Sequence, residues 1–201
     1  MKSYKRGEQT ESLILGPNAI YVPTGRGRVV KREPATVWSA KKKGPIYASK
    51  GDPDFSGHWK GIAFELEAKE VTADTFYFPN HTEGKGKTLR AQVLKLVEMA
   101  RSGGLAFMLV HFCSPKLGLR EAFMWQIHSH RAARPCPFVD WALGLPDSRA
   151  PLKVDWFRDH AYAVPEQHGG LDWGAVIQRV LVAKSAMEAQ NGGMLAAEKL
   201  D

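Results

Sequence analysis

Residues 52–70 read DPDFSGHWKGIAFELEAKE. Ile62, Phe64 and Leu66 alternate with Glu65, Glu67 and Lys69. A period of two puts these two sets on opposite faces of a strand, so the first set faces a core. Lys60-Gly61 reads as a two-residue turn, and antiparallel pairing about it sets Asp54 opposite Glu67. Asp54 then joins Glu65, Glu67 and Lys69 on the second face, with two carboxylates a few ångströms apart and an ammonium beside them.

Two close carboxylates repel, and each tends to hold a proton. A divalent cation resolves that, because carboxylate oxygens, a backbone carbonyl and waters are the ligands Mg²⁺ favours. A charged lysine cannot ligate such a metal. It can orient or help deprotonate the attacking water, or stabilise charge on phosphoryl oxygens. Asp…Glu-x-Lys is therefore a compact kit for metal-dependent phosphodiester hydrolysis. The same letters also suit a solvated outer hairpin face carrying a Glu–Lys cross-link. Glu-x-Lys alone occurs about once by chance in a chain of this size.

Working outward, residues 9–22 suit a short helix interrupted by Gly16-Pro17. Residues 28–38 look extended and bent at Pro34, and 40–50 form a basic excursion with a Gly-Pro turn. Residues 72–87 read as a loop. From Thr88, a possible cap, a helix is expected with Leu89, Val93, Leu96 and Val97 on one face, ended by Gly103-Gly104. The apolar run LAFMLVHF (105–112) suggests a strand buried on both faces. Strand, helix, buried strand implies a right-handed crossover, making 62–69 and 105–112 parallel neighbours. Residues 120–128 read as another strand. Residues 131–151 look irregular with a short helix at 138–143. Asp172 caps a final helix, and the tail after 193 should fray. The fold class is mixed α/β, one domain over 1–193 with a tail at 194–201.

The 201 residues are 44 % hydrophobic, enough for a single core. No 18-residue apolar run exists, so no membrane span is expected. The N-terminus lacks the apolar region of a secretory signal. Cys113 and Cys136 have neither metal-ligand nor disulfide-framework spacing. A reduced, cytoplasmic setting is the simplest expectation. The net charge is +7, and its placement is more informative. Arg26, Arg28, Lys31, Arg32, Lys41, Lys42, Lys43 and Lys60 cluster near Trp38, Tyr47 and Trp59. That is the footprint of a polyanion binder, against a merely solubilising surface. Residues 25–28 read as a basic loop contacting phosphates, and Lys41–Lys43 as a DNA contact. His128 and His130 lack a third ligand with suitable spacing. Most of the tryptophans at 125, 141, 156 and 173 are expected in the core.

The stretch from Asp54 to Glu70 resembles the core of the RecU-type Holliday-junction resolvases, within the PD-(D/E)xK nuclease superfamily. Asp54, Phe55, Gly57, Lys60, Gly61, Phe64, Glu65, Glu67, Ala68, Lys69 and Glu70 fit its pattern without a gap. KRGEQTE near the N-terminus resembles the family's opening, where Glu11 would be a helix-borne acid approaching the metal site. VVKREPATV matches a Pro-containing strand, Gln92 an active-site glutamine, and GGLAFMLVHF the buried strand. GGLDWGAVIQRVL is a weaker echo of the final helix. The sequence departs in four places: residues 39–51 are short for the family's stalk, Asp52 replaces a threonine, Ala91 a histidine, and the region 113–165 looks distinct.

The resemblance implies a restriction-endonuclease-like core, a mixed sheet flanked by helices. It implies a Mg²⁺-dependent endonuclease (Mn²⁺ being possible) that nicks four-way DNA junctions as a homodimer, in the cytoplasm of a bacterium or of a phage's host. Asp54, Glu67 and the Ala68 carbonyl would bind metal, Lys69 would position or activate the water, and Glu11 and Gln92 would support them. The alternatives are another nuclease of the superfamily acting on duplex or branched DNA, and a non-catalytic DNA-binding protein.

Overall fold

The computed structural model describes residues 7–33, 36–39, 43–47, 51–80, 82–128, 136–146 and 148–197, with 36–39, 44–47, 188 and 190–197 described for the main chain alone. In chain order they form α1 (Glu8–Leu15), α2 (Asn18–Tyr21), β1 (Gly27–Lys31), β2 (Thr36–Ser39), β3 (Gly44–Tyr47), β4 (Phe55–Trp59), β5 (Ile62–Val71), β6 (Thr75–Phe76) and α3 (Gly84–Arg101). Then follow β7 (Leu105–Ser114), β8 (Leu119–Gln126), α4 (Pro137–Leu143), β9 (Leu152–Lys153), α5 (Val154–His160), β10 (Tyr162–Val164), β11 (Glu166–Gln167), β12 (Gly170–Leu171) and α6 (Trp173–Ala197).

A six-stranded mixed sheet in the order β1-β4-β5-β7-β8-β10 carries the fold. The β4–β5 hairpin has the register expected from the sequence, Phe55 opposite Leu66 and Trp59 opposite Ile62. Lys60 (φ 48°) and Gly61 (φ 82°) are both left-handed, as in a type I′ turn, whose twist matches that of the flanking strands. β5 and β7 run parallel, Glu67 beside Met108 and Lys69 beside Val110, with α3 as the crossover between them.

β7 is apolar on both faces because each is covered. Ala106, Met108, Val110 and Phe112 pack with Leu89, Val93, Leu96, Phe138, Trp141 and Phe157 from α3, α4 and α5. Leu105, Phe107 and Leu109 join Ile14, Phe55, Phe64, Leu66, Trp173 and Ile177 on the side of α1 and α6. Each fully buried side chain of this size contributes about 1.5–3 kcal/mol of transfer free energy. Asp172 caps α6 through Ala175 N–H at 3.1 Å. Three of the four singled-out tryptophans, 125, 141 and 173, are buried. Both cysteines are free thiols. Among the described residues, no helix is long and apolar enough to cross a membrane.

Three local expectations are corrected. α3 begins at Gly84, a turn before Thr88, whose hydroxyl instead bonds the Gly84 carbonyl. The Glu83 carbonyl accepts the Gly86 and Lys87 N–H groups there, so main chain satisfies the first turn without a side-chain cap. Gly44-Pro45 is not a turn but opens β3, which pairs antiparallel with β2. Gly27 and Arg28 of the expected basic loop already lie in β1. α6 runs to Ala197. Lys41, Lys42 and His130 lie outside the described residues, as does Pro34.

Candidate active site

Glu65, Glu67 and Lys69 project from β5 toward α3, on the face shared with Met108 and Val110. That face is not a solvated one: Glu65 is buried and Glu67 has 0 % exposure. Asp54 reaches Glu67 at the mouth of the hairpin, where main-chain N–H groups hold both carboxylates. Asp54 N–H donates to Glu67 Oε2 at 3.1 Å, and Ala68 N–H donates to Asp54 Oδ2 at 3.3 Å. Lys69 Nζ donates to Glu67 Oε1. Burial pushes the Glu67 carboxyl up to about 8, with the Asp54 charge adding to the rise and Lys69 opposing it.

The geometry also bears on the Ala68 carbonyl. In an extended strand, the N–H and C=O of one residue point to the same side. The Ala68 N–H turns toward Asp54, away from β7, so its carbonyl opens on the same edge. Two carboxylates and a carbonyl, all hard oxygens, suit a small divalent cation that keeps several waters. Among the described residues, no group of three or more His, Cys, Asp or Glu side chains could hold an ion. A metal here would therefore rest on two carboxylates, the carbonyl and waters.

Gln92 is buried on α3 and donates to the Asp52 carbonyl at 3.1 Å. It steadies the loop that leads into Asp54 rather than touching the carboxylates. Lys95, three residues further on, donates to Asp52 Oδ1. The sequence reading missed Lys95, although its helical spacing from Gln92 puts it on the same flank. Glu11 on α1 accepts from Lys31 Nζ at 2.6 Å. That bond, aided by the Asp54 and Glu8 charges, holds the Lys31 ammonium above its ordinary range. Glu11 thus reaches the neighbourhood of Asp54 with a lysine on its carboxylate.

The expected basic grip divides. Arg32 Nη2 pairs with Glu65 Oε1, and its N–H bonds the Asp54 carbonyl at 2.8 Å. Lys31 and Arg32 therefore act beside the site, each on an acid. Arg26, Arg28 and Lys60 are exposed at the opposite end of the hairpin, where Lys60 N–H bonds the Arg26 carbonyl at 2.8 Å. They lie the length of β4 from Asp54, roughly 17 Å at about 3.4 Å per residue. Lys43 is exposed beside β3 in a left-handed conformation. His128 is half-buried just beyond β8.

The model of the family described as recombination protein U, RecU, matches residues 5–131, well over half of the chain. No curated protein sequence matches. Among solved structures, a similar one is Hjc, a Holliday junction resolvase of the archaeal hyperthermophile Archaeoglobus fulgidus. It is 12 % identical with a TM-score of 0.42, over 78 % of this chain and 95 % of that one.

Proposed function

We propose, for a chain that belongs to the RecU family of Holliday-junction resolvases, that Asp54, Glu67 and Lys69 form a metal-dependent phosphodiester-hydrolysing site. The observation that carries this is the reciprocal clamp of Asp54 and Glu67, with Lys69 on the buried carboxylate. Asp54, Glu67 and the Ala68 carbonyl would hold the cation, Mg²⁺ suiting the donor set best. When bound, it would supply positive charge to the phosphate and lower the pKa of water.

The chain's own residues do the rest. Metal binding needs Glu67 ionised, so the proton that burial favours must leave. Lys69 is then free to turn its ammonium toward the attacking water or a phosphate oxygen. The Asp54 and Ala68 N–H groups keep the two carboxylates from drifting apart. Gln92 holds the approach to Asp54, and Glu11 supports the site from α1 through Lys31. Arg26, Arg28 and Lys60 would contact phosphates of the arms away from the cut, and Lys41–Lys43 would add further phosphate contacts. Paired symmetric nicks require two such sites related by a two-fold axis, hence a homodimer.

The test is cleavage of a four-way junction in Mg²⁺ by Glu67→Ala and Lys69→Ala variants. Each is expected to lose on the order of 10²-fold or more in rate, the scale for removing a group that acts on developing charge. Wild-type rates in both variants would place the chemistry elsewhere.

A further inference from the structure

Thr10 is 2 % exposed on α1, and His111 is 1 % exposed on β7. The Thr10 hydroxyl donates to Glu70 Oε2 at 2.8 Å and lies 2.9 Å from His111 Nδ1. A hydroxyl has one proton to give. With that proton directed at Glu70, His111 donates its Nδ1–H to the Thr10 oxygen. The hydroxyl is thus a two-way link between α1, β5 and β7.

Its position matters because of where β4 stops. The β4–β5 ladder ends at the pair Phe55–Leu66. Beyond it, residues 67–71 keep β7 as ladder partner, while their other edge has no ladder partner among the described residues. This half-paired segment carries Glu67, Ala68 and Lys69. Asp54 takes the Ala68 N–H on the open edge. Glu70, pointing to the opposite face from Lys69, is taken by Thr10. The helix that supplies Thr10 also supplies Glu11, the next residue. One side chain therefore sets the end of the catalytic strand and the helix that approaches it. Just beyond the far end of α1, Gly16 lies so close to Gly169 that a Cβ there would clash with its carbonyl.

We propose that Thr10 is a positioning residue for the nuclease site: its hydroxyl, shared between Glu70 and His111, locks the half-paired end of β5 to α1 and so aligns Lys69 with the acids. This rests on the nuclease reading above. A half-paired strand end opens locally at low cost, and a displacement near 1 Å at a reacting group can cost as much as about 10²-fold.

The experiment compares Thr10→Val, which keeps the size and loses the hydroxyl, with Thr10→Ser, which keeps the hydroxyl and loses a methyl. Thr10→Val is expected to lower kcat at least about 10-fold with KM changed less than about 3-fold, and Thr10→Ser to stay within about 3-fold of wild type in both. Hydrogen exchange at the amides of 68–71 should accelerate in Thr10→Val alone, with β7 protected in both. Wild-type kcat in Thr10→Val with a slower Thr10→Ser would mean a packing role and overturn the proposal, as would unchanged exchange at 68–71. If Thr10→Val does not fold, His111→Asn, which restores a donor near Nδ1, and His111→Leu replace it. Leu should slow cleavage and free the strand end where Asn does not, and equal behaviour would overturn the link. If the wild-type chain cleaves no DNA, the nuclease reading fails and the exchange measurement still decides the link.

Discussion

Glu67 is an acid with no exposed surface, set against a second acid and a lysine. Its folded-state pKa, raised by burial to about 8 from an ordinary 4.5, couples the site to stability. The folded chain holds a proton there that the unfolded chain has released. The favourable contribution is full below about pH 4.5 and is lost as pH rises through about 8. At about 1.4 kcal/mol per pH unit, the loss is several kcal/mol by about pH 9. In chelator, denaturant titrations of the wild-type chain should show stability falling across this window. Glu67→Gln, which keeps the shape without the charge, should lose that slope. Parallel pH profiles for the two would mean that Glu67 is not the group that titrates.

At the scale of elements, residues outside the family match hold an element that bears on the site. A Cβ on Gly170 of β12 would lie 1.9 Å from the Leu13 carbonyl oxygen of α1, and main chain has nowhere to retreat. Gly170→Ala should therefore destabilise the fold by about 1–3 kcal/mol, the usual range for overpacking, read as a lower urea midpoint with an unchanged slope. An unchanged midpoint would show that α1 is not seated on β12 as described. The same contrast explains what the sequence made legible. Residues 52–70 and 105–112 announced themselves because alternation and unbroken apolarity follow directly from having one or two buried faces. The pairing of Asp54 with Glu67 was legible from the Lys60-Gly61 turn alone, since a hairpin's turn fixes its register. The start of α3 was not, because GKGK has no apolar period and its cap is main chain. Nor was the division of the basic residues, since Lys31 and Arg32 meet Glu11 and Glu65 only once α1 and β5 are brought together. Thr10 and His111 gave no signal at all, as their link joins elements a hundred residues apart.

For the whole molecule, the proposed hydrolytic site lies at the open end of a hairpin whose closed end carries Arg26 and Lys60. A duplex arm engaging both ends would span roughly 17 Å, about half a helical turn of B-DNA at about 3.4 Å per base pair. Each chain carries one set of Asp54, Glu67 and Lys69, so the proposed symmetric cutting of two strands calls for two copies. The most direct measurement is therefore the cleavage rate on a four-way junction against linear duplex of the same sequence, in Mg²⁺, with both products sized. Family membership and the proposed site predict paired nicks at symmetric positions in the junction, with the duplex cut at least about 10-fold more slowly, a difference of about 1.4 kcal/mol. Equal rates on the two substrates would contradict the account and leave a nuclease without junction selectivity.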